Sequence, residues 1–146
     1  MHYTIGEMAK QLDLAPSTLR YYDKEGLLPF VKRTDGGIRS FKEDDVAWLK
    51  TIECLKKTGM SIKDIKQFID WCIEGDSTID KRLELIKKQK DEVNSQIEKL
   101  KGTLDMLDYK QWYYETAKAA GTCAVHTSIK QSEVPEKFLK YRKKSD

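Results

Sequence analysis

The sequence predicts a mainly α protein: a winged helix-turn-helix head, then two short helices, then a long coiled-coil dimerisation helix. Three observations predict it. Thr4 to Pro29, TIGEMAKQLDLAPSTLRYYDKEGLLP, carries two helical patterns around a tight turn. Phe30 to Phe41, FVKRTDGGIRSF, has the paired glycines of a hairpin. From Ile79 to Tyr114, apolar residues recur in alternating steps of four and three, the seam of a coiled coil. The expected divisions are 1–75 for the DNA-binding head, 76–120 for the dimerisation helix and 121–146 for an irregular basic tail.

In the head, Thr4 and Glu7 have capping-box spacing, so the first helix starts near Ile5 and buries Met8, Ala9 and Leu12. Asp13 and Leu14 make the turn. Pro16 suits a helix start and Gly26 a helix stop, which bounds the second helix to about Pro16 to Glu25. That helix buries Leu19 and Tyr22 and turns Ser17, Arg20, Tyr21 and Lys24 outward. Arginine can take phosphate or the paired acceptors of guanine, hydroxyls can take phosphate, and lysine adds charge. An ordinary solvated hairpin would look similar, and the next stretch decides between them. Asp35-Gly36-Gly37 permits the positive φ of a tight turn and brings Lys32, Arg33 and Arg39 together as a wing.

A third helix is expected from Lys42 to Thr58, with Trp48, Leu49, Ile52 and Leu55 as its apolar stripe. Cys54 lies off that stripe, with Lys50 four residues before it and Lys57 three after. Positive neighbours favour the thiolate, so Cys54 is a candidate sensor; the alternative is a small residue packed against another helix. A fourth helix, Ser61 to Ile73, turns Ile62, Ile65, Phe68, Ile69 and Cys72 inward. Gly75-Asp76-Ser77 breaks the chain, and Ser77 is expected to cap the long helix.

The expected dimer seam is Ile79, Leu83, Ile86, Val93, Ile97, Leu100, Leu104, Leu107 and Tyr114, interrupted by Lys90 and Gln111. A helix of about 38 residues spans roughly 57 Å, too long to bury on one small domain. The rest of the chain has no helix of that length, so a second copy is the simplest partner. After Gly121 the pattern is irregular, with a short basic helix expected from Pro135 to Lys144.

Composition bounds the function. The chain has 146 residues, 35% of them charged, and a net charge of only +3, so the distribution of charge matters more than its sum. Residues 15–42 carry six basic and three acidic side chains, whereas 76–116 carry eight basic and nine acidic. No long apolar run or secretory leader is present, which predicts a cytoplasmic protein without a membrane span. Cys54, Cys72 and Cys123 are odd in number and scattered, as for free thiols. Cys123 and His126 have ligand-like spacing, but two ligands make no metal site, and no metal or cofactor is expected. His2 and His126 lie near the chain ends with no catalytic arrangement around either, which argues against an enzyme.

TLRYYDKEGLLP (Thr18 to Pro29), IRSF (Ile38 to Phe41), GMSIKDI (Gly59 to Ile65) and the long helix together resemble the MerR family of transcriptional regulators, over about residues 3–116. The resemblance implies two winged heads at opposite ends of an antiparallel coiled-coil homodimer. It implies binding to a near-palindromic double-stranded promoter with an overlong spacer, distorted on sensing an effector so that RNA polymerase can engage it. Carried over by motif, the DNA contacts are Ser17, Thr18, Arg20 and Tyr21 on the helix and Arg33, Arg39 and Phe41 on the wing; Lys24 and Lys32 join them on charge.

The chain departs from the family in several places. Ala15 stands where relatives have a Ser or Thr cap, and Ile38 and Phe41 where many have tyrosine. Ser77-Thr78-Ile79-Asp80 holds no cysteine where metal sensors place one, and no cysteine cluster could bind iron and sulfur. The remaining pattern resembles the branch that answers to aldehydes, other electrophiles or nitrosative stress, which carries a cysteine where Cys54 stands in ECLKKTGMSI. Two rivals stay open: a regulator binding an organic ligand non-covalently near Trp112, Tyr113 and Tyr114, and a coiled-coil adaptor for protein.

Overall fold

The structure is a computed structural model and describes residues 1–142. It divides into two compact units, Met1–Asp91 and the remainder from Glu92. The first is the head. Its elements are β1 (His2–Tyr3), α1 (Ile5–Gln11), α2 (Pro16–Lys24), β2 (Lys32–Arg33), β3 (Arg39–Lys42), α3 (Asp45–Lys57) and α4 (Ile62–Glu74), followed by the first turns of α5 (Ile79–Ala120).

Both halves of the capping box form at α1. The Glu7 amide donates to Thr4 Oγ1 at 3.2 Å and the Thr4 amide donates to Glu7 Oε2 at 2.9 Å. The turn into α2 places Asp13 at φ 56. Gly26 ends α2 at φ 77, where a Cβ would also meet the Lys66 side chain at 3.2 Å. Only glycine satisfies both conditions.

The hairpin forms between β2 and β3, with Lys32 opposite Ser40 and Arg33 opposite Arg39. Of its two central glycines, only Gly37 takes a positive φ, 81°. The sequence did not announce β1, which pairs antiparallel with β3 and makes a three-stranded sheet of order β1-β3-β2. Residues so few show no period. This sheet also corrects the start of the third helix. Lys42 belongs to β3, and its amide donates to the buried Asp45 carboxylate at 2.8 Å, so the helix begins at Asp45.

Fourteen buried residues form one core, drawn from α1, α2, the segment after it, β3, α3 and α4. Leu19, Phe41, Leu49, Ile52 and Ile65 are fully enclosed, and Phe30 stacks on Trp48 with ring centroids 5.3 Å apart. Ser61 caps α4 as expected, accepting from the Asp64 amide at 3.1 Å.

The residue that seats the long helix is Thr78, not Ser77. Its hydroxyl is buried in a short 3-10 turn, Asp76–Thr78, donates to the Trp71 carbonyl at 2.6 Å, and accepts from Arg82 Nε at 3.1 Å. Ser77 is exposed. The head also extends past the expected boundary at residue 75. Gln89 Nε2 on α5 donates to the Thr58 carbonyl at 2.9 Å, and Leu85 packs against the head core.

α5 is 42 residues long, about 63 Å at 1.5 Å per residue. Of the expected seam, Ile79, Leu83, Ile86, Ile97, Leu100, Leu104, Leu107 and Tyr114 are exposed in the single chain, and Val93 is half-buried.

The segment after Gly121 is folded rather than irregular. It comprises α6 (Val125–Ser128) and 3-10 turns at Gln131–Glu133 and Glu136–Tyr141. Phe138 and Val134 are buried, and Phe138 meets Trp112 and Tyr109 with ring centroids 5.8 and 5.7 Å apart. The helix expected from Pro135 to Lys144 is thus a 3-10 turn; Lys143 and Lys144 lie outside the described residues.

Candidate nucleic-acid interface

α2 is the element on which the interface is built. Leu19 and Tyr22 anchor it in the core, and that anchoring dictates what faces out. Ser17, Arg20, Tyr21 and Lys24 are exposed, and Thr18 is half-buried. Tyr21 lies under the Lys56 ammonium, 5.8 Å from the ring centroid, which adds a cation to the same surface. The Tyr22 hydroxyl donates a short hydrogen bond to Glu53 on α3. Burial and that carboxylate push the Tyr22 hydroxyl pKa well above its ordinary value.

The first turn of α2 has no side-chain cap, because Ala15 at the cap position has no oxygen to offer. Helix N-terminal amides left open in this way are suited to phosphate.

The wing divides the expected contacts. Lys32 and Arg33 are exposed, with Arg33 Nη1 donating to the Gly37 carbonyl at 2.6 Å across the turn. Arg39 is half-buried and ion-paired with Asp23 of α2. Phe41 is fully buried, so its side chain has no surface to offer DNA. The reason is the period of a strand. Arg39 and Phe41 alternate to the same side of β3, and that side faces the core. Alternation was the signal in the sequence that could have found both placements. Asp23 had a signal of its own, an acid on an otherwise basic helix.

Cys54 is exposed on α3, as its place off the apolar stripe predicts. It opens on a shallow cleft of about 570 Å³ lined by Leu12, Asp13 and Leu14 of the helix-turn-helix turn and by Lys50, Glu53 and Lys57 of α3. Cys72 is half-buried beside Arg82, and Cys123 is exposed. His126 stacks on Tyr113 with ring centroids 3.7 Å apart, and its Nε2–H donates to the Tyr113 carbonyl at 2.8 Å. Among the described residues no group of three or more His, Cys, Asp or Glu side chains could hold a metal ion, and no helix is long and apolar enough to cross a membrane.

A head of this shape, with a basic helix beside a basic wing, can be compared with known proteins. The family described as MerR HTH family regulatory protein matches residues 3–70, and that described as MerR, DNA binding matches 46–109. An uncharacterized HTH-type transcriptional regulator of Haemophilus influenzae is 45% identical over 93% of this chain and 98% of its own length. The chain belongs to the MerR family.

Among other MerR-type relatives, the HTH-type transcriptional regulator AdhR of Bacillus subtilis is 38% identical over 59% of this chain and 61% of its own length. The crystal structure of HiNmlR, a MerR family regulator lacking the sensor domain and bound to promoter DNA, aligns with TM-score 0.73 and 47% identity. That alignment covers 86% of this chain and 99% of HiNmlR. Membership makes the chain a DNA-binding transcriptional regulator of the MerR type and not an enzyme.

Proposed function

We propose that the chain acts as a homodimer which binds a near-palindromic promoter through two heads and distorts it when an effector is sensed at Cys54. The observation that carries the DNA part of this reading is the outward face of α2, with Ser17, Arg20, Tyr21 and Lys24 exposed and Lys32 and Arg33 of the wing beside them. Thr18 joins this set. Phe41 drops out of it by burial, and Arg39 is engaged by Asp23. The exposed seam on α5, from Ile79 to Tyr114, supports a second copy as the partner, and HiNmlR supports promoter DNA as the ligand. Contact with RNA polymerase and action in the cytoplasm follow from that reading.

Cys54 as the sensing group is supported by three features. It is exposed, it shares its cleft with Lys50 and Lys57, and its neighbour Glu53 is bonded to Tyr22 on the recognition helix. A covalent change at Cys54 would therefore sit one residue from a bond that holds α2. HiNmlR binds promoter DNA without a sensor domain, which fits a sensing group placed within the head.

Two variants test the reading. Arg20→Ala should weaken binding to promoter DNA by about 1–3 kcal/mol while leaving the oligomer intact. Cys54→Ser should bind DNA normally and lose the transcriptional response to an aldehyde or oxidant. An undiminished response in Cys54→Ser would rule out Cys54 and favour a non-covalent ligand. The hollow of about 380 Å³ beside Trp112 and Phe138 is the place for such a ligand, whereas Tyr113 is already occupied by His126 and Tyr114 is exposed.

A further inference from the structure

Arg39 was expected to touch DNA, but its surroundings give it a different task. Its Nη2 pairs with Asp23 of α2. Its Nη1 donates to the Val31 carbonyl at 2.8 Å and lies 3.3 Å from the Leu28 carbonyl, both in the segment that leads from α2 to the wing. Its Nε is buried without a partner, so it cannot reach a phosphate either. Only 19% of the Arg39 side chain and 21% of the Asp23 side chain are exposed. One guanidinium thus joins three things: the recognition helix, the connection after it and the inner strand of the wing. The planar fork of arginine is suited to several fixed acceptors at once, in a way lysine is not.

Asp23 also faces Arg33, whose Nη2 lies 3.6 Å from its other oxygen. Arg33 and Arg39 are direct partners across the β2–β3 ladder. Like charges placed opposite one another push strands apart unless something neutralises them. Asp23 supplies that neutralisation from the recognition helix itself.

We propose that Asp23 and Arg39 are positioning residues that set the angle between α2 and the wing, and that Arg39 makes no phosphate contact. This rests on the DNA-binding reading above. It carries a consequence opposite to simple electrostatics. Asp23→Asn removes a negative charge from the DNA-facing side of the head and frees two arginines, yet it should weaken binding, because the wing loses its hold on α2.

The test uses the full chain and a fluorescein-labelled duplex selected by the wild-type protein from a random library, with affinity measured by anisotropy across a range of salt. Failure of the wild type to select any duplex would remove the DNA-binding reading itself. Given a duplex, Asp23→Asn and Arg39→Ala should each weaken binding by about tenfold or more, a part of what breaking a buried pair costs. The slope of log affinity against log salt should stay at its wild-type value. Arg20→Ala serves as the contrast, since losing a phosphate contact lowers that slope by about 0.9 for each contact. Tighter or unchanged binding in Asp23→Asn, or a lowered slope in Arg39→Ala, overturns the proposal. Should circular dichroism show Asp23→Asn unfolded, Arg39→Lys decides instead. Lysine keeps the charge a phosphate needs, so wild-type affinity in that variant overturns the proposal, and weakened binding at an unchanged slope supports it.

Discussion

Residues Met1–Asp91 and the unit from Glu92 dispose of their apolar side chains in opposite ways. The head encloses fourteen residues in one cluster, with Met8, Leu19, Phe41, Leu49 and Ile52 fully shielded. The second unit buries Ala117, Val134 and Phe138 near the end of α5, and leaves Ile97, Leu100, Leu104, Leu107 and Tyr114 exposed. Each large aliphatic left in water forgoes about 1.5–3 kcal/mol of burial. The head is therefore a finished fold in one copy, and the long helix is finished only against a partner. Sensing and reading can reside in the first region because its stability does not depend on the second.

The largest effect should come from attacking that unfinished face. Leu100→Asp together with Leu104→Asp puts carboxylates where 68% and 57% exposed leucines wait for a partner. In a dimer each substitution should cost about 3 kcal/mol or more, because a charge is buried and a leucine is lost. Light scattering should find a monomer, and DNA affinity should fall to that of one head. Hydrogen exchange of the core amides around Leu49 and Ile52 should be unchanged. A double variant that remains dimeric would show that this stripe is not the interface.

The same contrast explains what the sequence disclosed. Helices α1, α2 and α4 were legible because their starts are written locally, as Thr4 with Glu7, as Pro16, and as Ser61 before Asp64. The heptads of α5 were legible because five turns of repetition average out exceptions such as Lys90 and Gln111. The misses depend on contacts far apart in sequence. β1 is only His2–Tyr3, and it becomes a strand by pairing with Phe41 and Lys42. The folded segment after Gly121 rests on Phe138 and Tyr141 meeting Tyr109 and Trp112, aromatics that share no period. Within the interface, motif named the right neighbourhood but could not tell a side chain that faces DNA from one that faces inward. Arg33 and Arg39 look alike in the sequence, and only the ladder separates them.

A smaller effect should separate the head from the long helix by pH. Tyr22→Phe removes the hydroxyl that donates to Glu53 and leaves that carboxylate without its partner, at a cost of about 1–3 kcal/mol. The sign with pH follows from the raised Tyr22 pKa. The folded state holds its phenolic proton more tightly than the unfolded chain does. This contribution is therefore whole below the ordinary tyrosine value of about 10 and declines as pH rises beyond it. Denaturant melts of the wild type should lose head stability above that point, and Tyr22→Phe should lose less over the same range. An identical alkaline slope in the two proteins would mean that this bond is not maintained in solution.

The smallest change tests whether the head is as finished as its core suggests. Ala15 has the extended backbone of a helix cap, φ −72 and ψ 139, but no side-chain bond to the amides of α2. Ala15→Ser supplies an acceptor with the backbone already in place, and should stabilise the head by about 0.5–1 kcal/mol in a thermal melt. In a protein selected for stability alone that gain would carry no penalty. Open amides at the start of the recognition helix are, however, the groups a phosphate would use, and a serine oxygen would occupy one of them. Ala15→Ser should therefore melt higher and bind promoter DNA no more tightly than the wild type, with weaker binding the expected direction. A variant that gains both stability and affinity would show that the bare cap is a simple defect with no part in holding DNA.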